Sequence, residues 1–467
     1  MPAFPVKITN LLITAVLCAA TLLAGCSDAD RKTSQHSRTD AEFFAGIEKK
    51  WGCPFSQLPS EKLVIISPHN QSIQEEFSRA FSHKYALDNG RRVECEWRDV
   101  GGGGNKILSY LQNVYSRASG SGIDVVWGGG MDIFNTLRDG GLLQKLVLPA
   151  TVLENIPQYV AGGEFRDPQG YWCGSTVSNF GILANLPLLK RLGRPVPHTF
   201  RDLGDEKYFG LVALADPTKS SSAAAAYKTI YDNNAAAGNG WPTVLAICGN
   251  AKKFYDSAGG AADAVISEAP LATVISFYGT MRVSRYPGRL KYISATDMFS
   301  ADPIGILKNP PHPALARAFV NFVLSPGGQA ILGCRAGTPV GPAVKDLFMA
   351  PIRMDFYTSD FYVRYALPDL PNPYLADTAA GKSSTTGVDY NILKNLIYAA
   401  AVMQGDLLKQ ARKRIIADPV LTTEFYALPD NALAPQTVIH MQNAVENEKI
   451  MTGWHNYWRN KYEKIIR

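Results

Sequence analysis

Beyond the first 25 residues, no stretch of this chain is long and apolar enough to cross a bilayer as a helix. No run of lysine or arginine stands out, and a formal charge of +6 on 467 residues is mild, which argues against a nucleic-acid surface. Cysteine is scarce, at seven residues, and no CxxC or Cys/His cluster has zinc spacing. The signatures G-x-S-x-G and H-E-x-x-H are missing, as are metal-hydrolase clusters, so nothing points to an enzyme. What is present is an ordinary globular composition, 46% hydrophobic and 10% aromatic, with length for two or three domains.

The N-terminus carries the one membrane signal. Lys7 precedes an apolar run from Leu11 to Leu23, which closes on Leu23-Ala24-Gly25-Cys26. A basic start, a short apolar core and small residues before a polar break mark a secretory signal. The ending resembles a bacterial lipobox, which implies cleavage before Cys26 and lipidation of its sulfur. An uncleaved anchor helix with an incidental cysteine is the plainer alternative. Residues 1–25 are expected to be a lipoprotein signal peptide, and 26–45 a polar, flexible tether to the membrane surface. Loss of Lys7 lowers the formal charge from +6 to +5. Cys53, Cys95, Cys173, Cys248 and Cys334 remain in the body, an odd set that leaves at least one thiol free.

From Glu61 onward, strand-like and helix-like segments alternate. Leu63-Val64-Ile65-Ile66-Ser67 is a continuous apolar run of the buried-strand kind. Pro68-His69-Asn70 breaks it, and 73–85 has helical periodicity with Phe77 and Phe81 on one face. A second strand at 92–97 leads to the glycines 101–104 and a helix over 106–117. A third strand, 123–127, ends in Gly128-Gly129-Gly130 before a helix from about Met131. This order predicts a parallel α/β sheet, in which ligands sit beyond the carboxyl ends of the strands, where these turns lie. Further on, 170–182 reads as extended chain and 187–192 as a short helix. A strand at 211–215 is followed by Asp216 to Ser222 opening a helix to about Asn233. Residues 262–266 and 272–277 suggest further strand and helix pieces, 301–307 a returning strand, and 313–324 a helix. The Gly381–Gly387 loop lacks phosphate-loop spacing and a preceding strand. Long amphipathic helices over 390–416 and 437–465, with Trp454, Tyr457 and Trp458, are expected to pack on the body.

Four stretches together resemble the ferric iron and phosphonate-type cluster of periplasmic solute-binding proteins, with type II topology. They are Leu63 to Asn70; Asp124-Val125-Val126-Trp127-Gly128-Gly129-Gly130; Leu214-Ala215-Asp216-Pro217-Thr218-Lys219-Ser220-Ser221-Ser222-Ala223; and Pro310 to Phe319 with Phe322 to Gln329. The likeness covers roughly residues 62–341. It implies an α/β fold of two hinged lobes with a ligand cleft between them and a helical C-terminal extension. Such a receptor is non-catalytic and docks on the permease of an ABC importer at the periplasmic or extracellular face of the cell envelope. Lobe 1 is expected over 46–172, lobe 2 over 173–292, a return to lobe 1 over 293–350, and the extension over 351–467.

Within that frame the candidate ligand-binding residues are His69, Asn70, Gly102, Gly103, Gly129, Gly130, Ser220, Ser221, Ser222 and Tyr278. Ser220 to Ser222 sit where a helix begins, so hydroxyls and free amides face one point with the positive end of the dipole, unless a serine merely caps the helix. The glycine clusters let backbone amides approach a ligand, or simply form tight turns. Similar iron-binding proteins use a histidine, a carboxylate and paired tyrosines, which assigns His69 and Tyr278 as metal ligands and makes ferric iron with an anion the expected cargo; no other cofactor is required. The matching pair here, Phe277-Tyr278, has only one phenol. Tyr227 and Tyr231 are a further phenol source, and Asp132 and Glu268 are candidate carboxylates; packing or solvation is the plainer role for each. The alternatives to iron are a phosphate or phosphonate ester, or a ligand-sensing receptor domain. His312 reads as packing at a helix start.

Overall fold

The computed structural model of the protein describes residues 42–160, 163–236, 238–296, 298–375 and 387–467. The signal, Cys26 and most of the tether lie outside them, as does nearly all of the Gly381–Gly387 loop. The described chain opens in a helix over 42–51, so the last positions assigned to the tether are helical.

Strand β1 (Ser60–Ile66) buries Leu63, Val64, Ile65 and Ile66 on both faces, as a central parallel strand must. The helix Gln71–Asn89 carries the chain from it to β2 (Arg92–Arg98), which pairs parallel to β1. Asn70 caps that helix by accepting from the Ile73 amide, and Gly90 ends it at φ 68°. Its apolar stripe, Ile73, Phe77 and Phe81, packs on the sheet, with the Phe77 ring 4.7 Å from Trp127. Strand β3 (Val125–Trp127) flanks β1 on the other side. Then come β4 (Leu143–Gln144), the small hairpin β5 (Tyr159–Val160) and β6 (Gly163–Glu164), and β7 (Cys173–Ser178).

The chain changes lobes around Asn179. Its Nδ2 donates to Ser294 Oγ at 2.7 Å and its Oδ1 accepts from the Tyr292 hydroxyl at 3.0 Å. Strand β8 (Phe180–Asn185) already belongs to the second sheet, with β9 (Val212–Ala215), β10 (Ala251–Tyr255), β11 (Leu271–Ile275) and β12 (Leu290–Ser294) in the order β10-β9-β11-β8-β12. The crossing therefore falls at Asn179 rather than at residue 173, because Cys173–Ser178 is buried in the first sheet. Residues 262–266 belong to the helix Ala258–Ser267, whose alanines pack into the lobe 2 core.

Strand β13 (Ser300–Leu307) returns to lobe 1, antiparallel to both β3 and β7, and β14 (Ala350–Pro351) closes the edge beside β7. The first sheet then runs β14-β7-β13-β3-β1-β2, with β4 also on β13.

The extension fuses with lobe 2. Its helices Tyr390–Ile397 and Gly405–Ala417, joined by the π-helical turn Tyr398–Val402, and the helix Ala444–Ile466 bury Ile392, Leu396, Ala411, Trp458 and Tyr462 in the core of the second sheet. Trp458 lies 5.6 Å from Trp241, and the buried Arg412 donates to the carbonyl of Gly204 and to Asn250 Oδ1. The helix expected over 437–465 is two: it stops at Gln442, and Asn443 caps a fresh one by accepting from the Val445 and Glu446 amides. All five cysteines of the described residues are free thiols.

Candidate ligand-binding cleft

A cleft of about 1600 Å³ opens between the lobes, and all ten residues proposed from the sequence line it. His69 and Ser221, one from each lobe, share the same hollow.

The lobe 1 wall is built from the turns after β1, β2 and β3. Gly128, Gly129 and Gly130 stand at φ 83°, 108° and 94°, a left-handed run that side chains disfavour. A Cβ on Gly128 would also sit 2.9 Å from the His69 ring. Gly104, which opens the helix Gly104–Tyr115 after Gly102 and Gly103, presses on Gly129 so closely that a Cβ would come 2.6 Å from its carbonyl oxygen. Glycine at these points lets the two turns meet and face the cleft.

Asp302 on β13 ties this wall together. Its Oδ2 lies 2.9 Å from His69 Nε2, and its Oδ1 accepts from the Gly129 amide at 3.0 Å. Behind it, Trp127 Nε1 donates to Ser175 Oγ (2.7 Å), which donates to the Asp302 carbonyl (2.8 Å). The His69 ring stands edge-on to Trp127 at 4.7 Å, and its buried Nδ1 has no partner. Asn70 Oδ1 is used as a helix cap.

The lobe 2 wall centres on the turn after β9. Asp216 organises it by accepting from the Thr218 amide and hydroxyl and, through its carbonyl, from the amides of Lys219 and Ser220. Ser220 caps the helix Ser221–Ala235 by accepting from the Ala223 amide, and its Oγ lies 3.2 Å from that of Ser222. Ser220 is therefore a cap, while the amides of Ser221 and Ser222 open the helix where no earlier carbonyl can accept them. About two turns on, Lys228 reaches the cleft and pairs with Asp232 at 2.5 Å. Tyr278, near the start of the helix Ser276–Arg285, lines the cleft; burial pushes its phenol up, opposed by the Arg282 guanidinium over its ring at 5.1 Å.

Several candidates lie elsewhere. Glu268 sits outside the cleft, where its carboxylate accepts from the Tyr255 hydroxyl. Tyr227 is fully buried and donates to the Ala215 carbonyl, and Tyr231 packs on Gly240, so both are packing tyrosines. His312 clamps the buried Asp124 through its amide and Nδ1. Asp132 does line the cleft; solvent reaches it, yet the crowding walls raise its carboxyl pKa. Glu164, Lys228, Tyr390 and above all Asp302 were missed. The cue for Asp302 was a carboxylate inside the otherwise apolar 301–307 strand.

The family model described as bacterial extracellular solute-binding protein matches residues 123–362, just over half of the chain. The chain belongs to that family. It is a family of binding proteins rather than enzymes, and its members work outside the cytoplasm. Among the described residues no helix is long and apolar enough to cross a membrane. The fold of this solute-binding protein matches that of the periplasmic binding protein AfuA from Actinobacillus pleuropneumoniae, with fructose 6-phosphate bound (TM-score 0.56, 18% identity, 73% of this chain and 99% of that one). It also matches the apo ferric ion-binding protein A of Pasteurella haemolytica (TM-score 0.53, 14% identity, 72% and 96%). Both likenesses are of the two-lobed, type II fold. A curated relative, the phosphoglycerate transport regulatory protein PgtC of Salmonella typhimurium, is 26% identical over 249 residues, 52% of this chain and 59% of its own length.

Proposed function

We propose that this solute-binding protein captures a small phosphate ester bearing hydroxyl groups and delivers it to the permease of an ABC importer. One observation carries the reading: the open N-terminus of the helix Ser221–Ala235, with the Ser221 and Ser222 hydroxyls and Lys228 beside it, faces the glycine turns of lobe 1 across one cleft. Amides and hydroxyls at the positive end of a helix dipole, with a lysine about two turns along the same helix, suit a phosphate. The opposite wall presents the carboxylates of Asp132, Glu164 and Asp302, which suit hydroxyl donors and repel a second anionic group. Two of the similar proteins are linked to phosphate esters, PgtC by its name, which contains phosphoglycerate, and AfuA by the fructose 6-phosphate bound in its structure. Closure of the lobes about Asn179 would bury the ligand and create the form that docks. Lipidation at Cys26 would hold the receptor at the membrane surface.

The ferric reading is the weaker one. His69 Nε2 is already paired with Asp302, burial of Tyr278 opposes a phenolate, and among the described residues no group of three or more His, Cys, Asp or Glu side chains could hold a metal ion. Thermal shift and calorimetry with fructose 6-phosphate, 3-phosphoglycerate, inorganic phosphate and ferric citrate decide between them. The sugar phosphate is expected to stabilise the protein most, by about 2.7 kcal/mol at a hundredfold excess over Kd. Stabilisation by ferric citrate alone, with a visible absorption band that Tyr278→Phe removes, overturns the proposal in favour of iron.

A further inference from the structure

We propose that the C-terminal extension is a working part of the ligand site, with Tyr390 as the positioning residue that holds the Ser220–Ser222 turn in its anion-facing geometry. This rests on the reading of that turn as the phosphate cradle, and it adds a part that the family match, ending at residue 362, does not contain.

Tyr390 opens the first long helix of the extension, directly after the capping Asp389. Its hydroxyl donates to the Ser221 carbonyl at 3.0 Å, and its ring lines the cleft with Ser222 and Lys228. The residues that follow it, Ile392, Leu393, Leu396 and Ile397, are buried in the lobe 2 core, so the phenol is fixed by packing rather than by a mobile tip. A rigid path therefore runs from the core through Tyr390 to the first residue of the cradle helix. Burial pushes the Tyr390 phenol far above its ordinary value, which keeps it a protonated donor at neutral pH. The extension is also felt across the cleft: Lys394, close to the Tyr390 ring at 5.7 Å, and Asp389 both act on the Asp132 carboxyl of lobe 1. Asp132 of lobe 1, Ser222 of lobe 2 and Tyr390 of the extension line the same hollow.

A strut of this kind acts on the cradle, so its loss weakens a bare phosphate and a phosphate ester alike. Tyr390→Phe keeps the ring and its packing and removes only the donor. In the full-length protein, we expect the variant to stay folded, with a loss of about 1 kcal/mol in stability, while the amides of 221–226 exchange hydrogen several times faster. Calorimetric affinity for inorganic phosphate and for fructose 6-phosphate should fall by about fivefold in each case, the worth of one neutral hydrogen bond. Unchanged exchange and unchanged affinities in Tyr390→Phe overturn the inference. If the parent binds neither probe, the phosphate reading fails by itself and the exchange measurement alone decides the role of Tyr390: faster exchange upholds the strut, and equal exchange rejects it.

Discussion

Nε2 of His69 lies 2.9 Å from Oδ2 of Asp302, so a turn near the start of the chain and a strand 233 residues later meet in one contact at the cleft. The second oxygen of the same carboxylate holds the Gly129 amide. One side chain therefore sets the relative positions of the turns after β1 and β3, which form most of the lobe 1 wall. Groups fixed in this way on rigid strands are what a pre-organised binding wall requires.

Asp302→Ala leaves the His69 Nε2 and the Gly129 amide without partners in a half-buried place. We expect a loss of about 1–3 kcal/mol in denaturant unfolding and a clear fall in ligand affinity by calorimetry. Asp302→Asn keeps an acceptor for Gly129 and should recover part of both. A fully stable Asp302→Ala protein with parental affinity would show that the tie does not organise the wall.

The three serines should separate by role. Ser220→Ala removes a helix cap and is expected to cost about 1 kcal/mol of stability. Ser221→Ala should leave the melting temperature nearly unchanged and weaken binding of a phosphate ester about fivefold. Paired melts and titrations of the two variants measure the split; equal effects on stability contradict it.

Lys461 should make stability depend on pH. Burial holds its ammonium down, to about 7, although Glu424 acts the other way; its Nζ lies 4.2 Å from the Trp458 ring centroid and donates to the Ala427 carbonyl. Between pH 7 and the ordinary lysine value of 10.5, the unfolded chain holds a proton that the folded chain lacks. Stability from this group therefore rises with pH across that window and is flat below it. Urea midpoints taken through the window should climb in the parent and climb less in Lys461→Met.

Trp458 is the test of whether the extension belongs to the body. It is fully buried between Trp241 of lobe 2 and Tyr462 of its own helix. Trp458→Ala is expected to cost about 3–5 kcal/mol and to lower the unfolding midpoint of the whole protein. A separate early transition that leaves ligand binding intact would instead mark the extension as an independent unit.

Much of the framework was legible before any coordinates. The run Leu63 to Ile66, the Phe77 and Phe81 stripe and the glycines at 101–104 and 128–130 carry local signals, since period, chain entropy and allowed backbone angles act within a few residues. The serine turn was legible for the same reason, and its order relative to the glycine turns pointed to a shared cleft. The break at Asn443 was missed because helical periodicity continues on both sides of it, and only the capping geometry exposes the end. The lobe boundary was placed early because Cys173–Ser178 and Phe180–Asn185 are both extended and buried along their whole length, and nothing in their residues tells which sheet each will join.

By itself, then, the sequence determined the alternation of strands and helices, the glycine turns and the serine-rich helix start, all consequences of forces that act between near neighbours along the chain. The tertiary structure alone decided that Asp302 meets His69, that Tyr390 braces Ser221 and that Lys461 is buried beside Trp458. Each of those depends on closing loops of many residues and on which buried polar groups find partners, and no short window of residues contains that information.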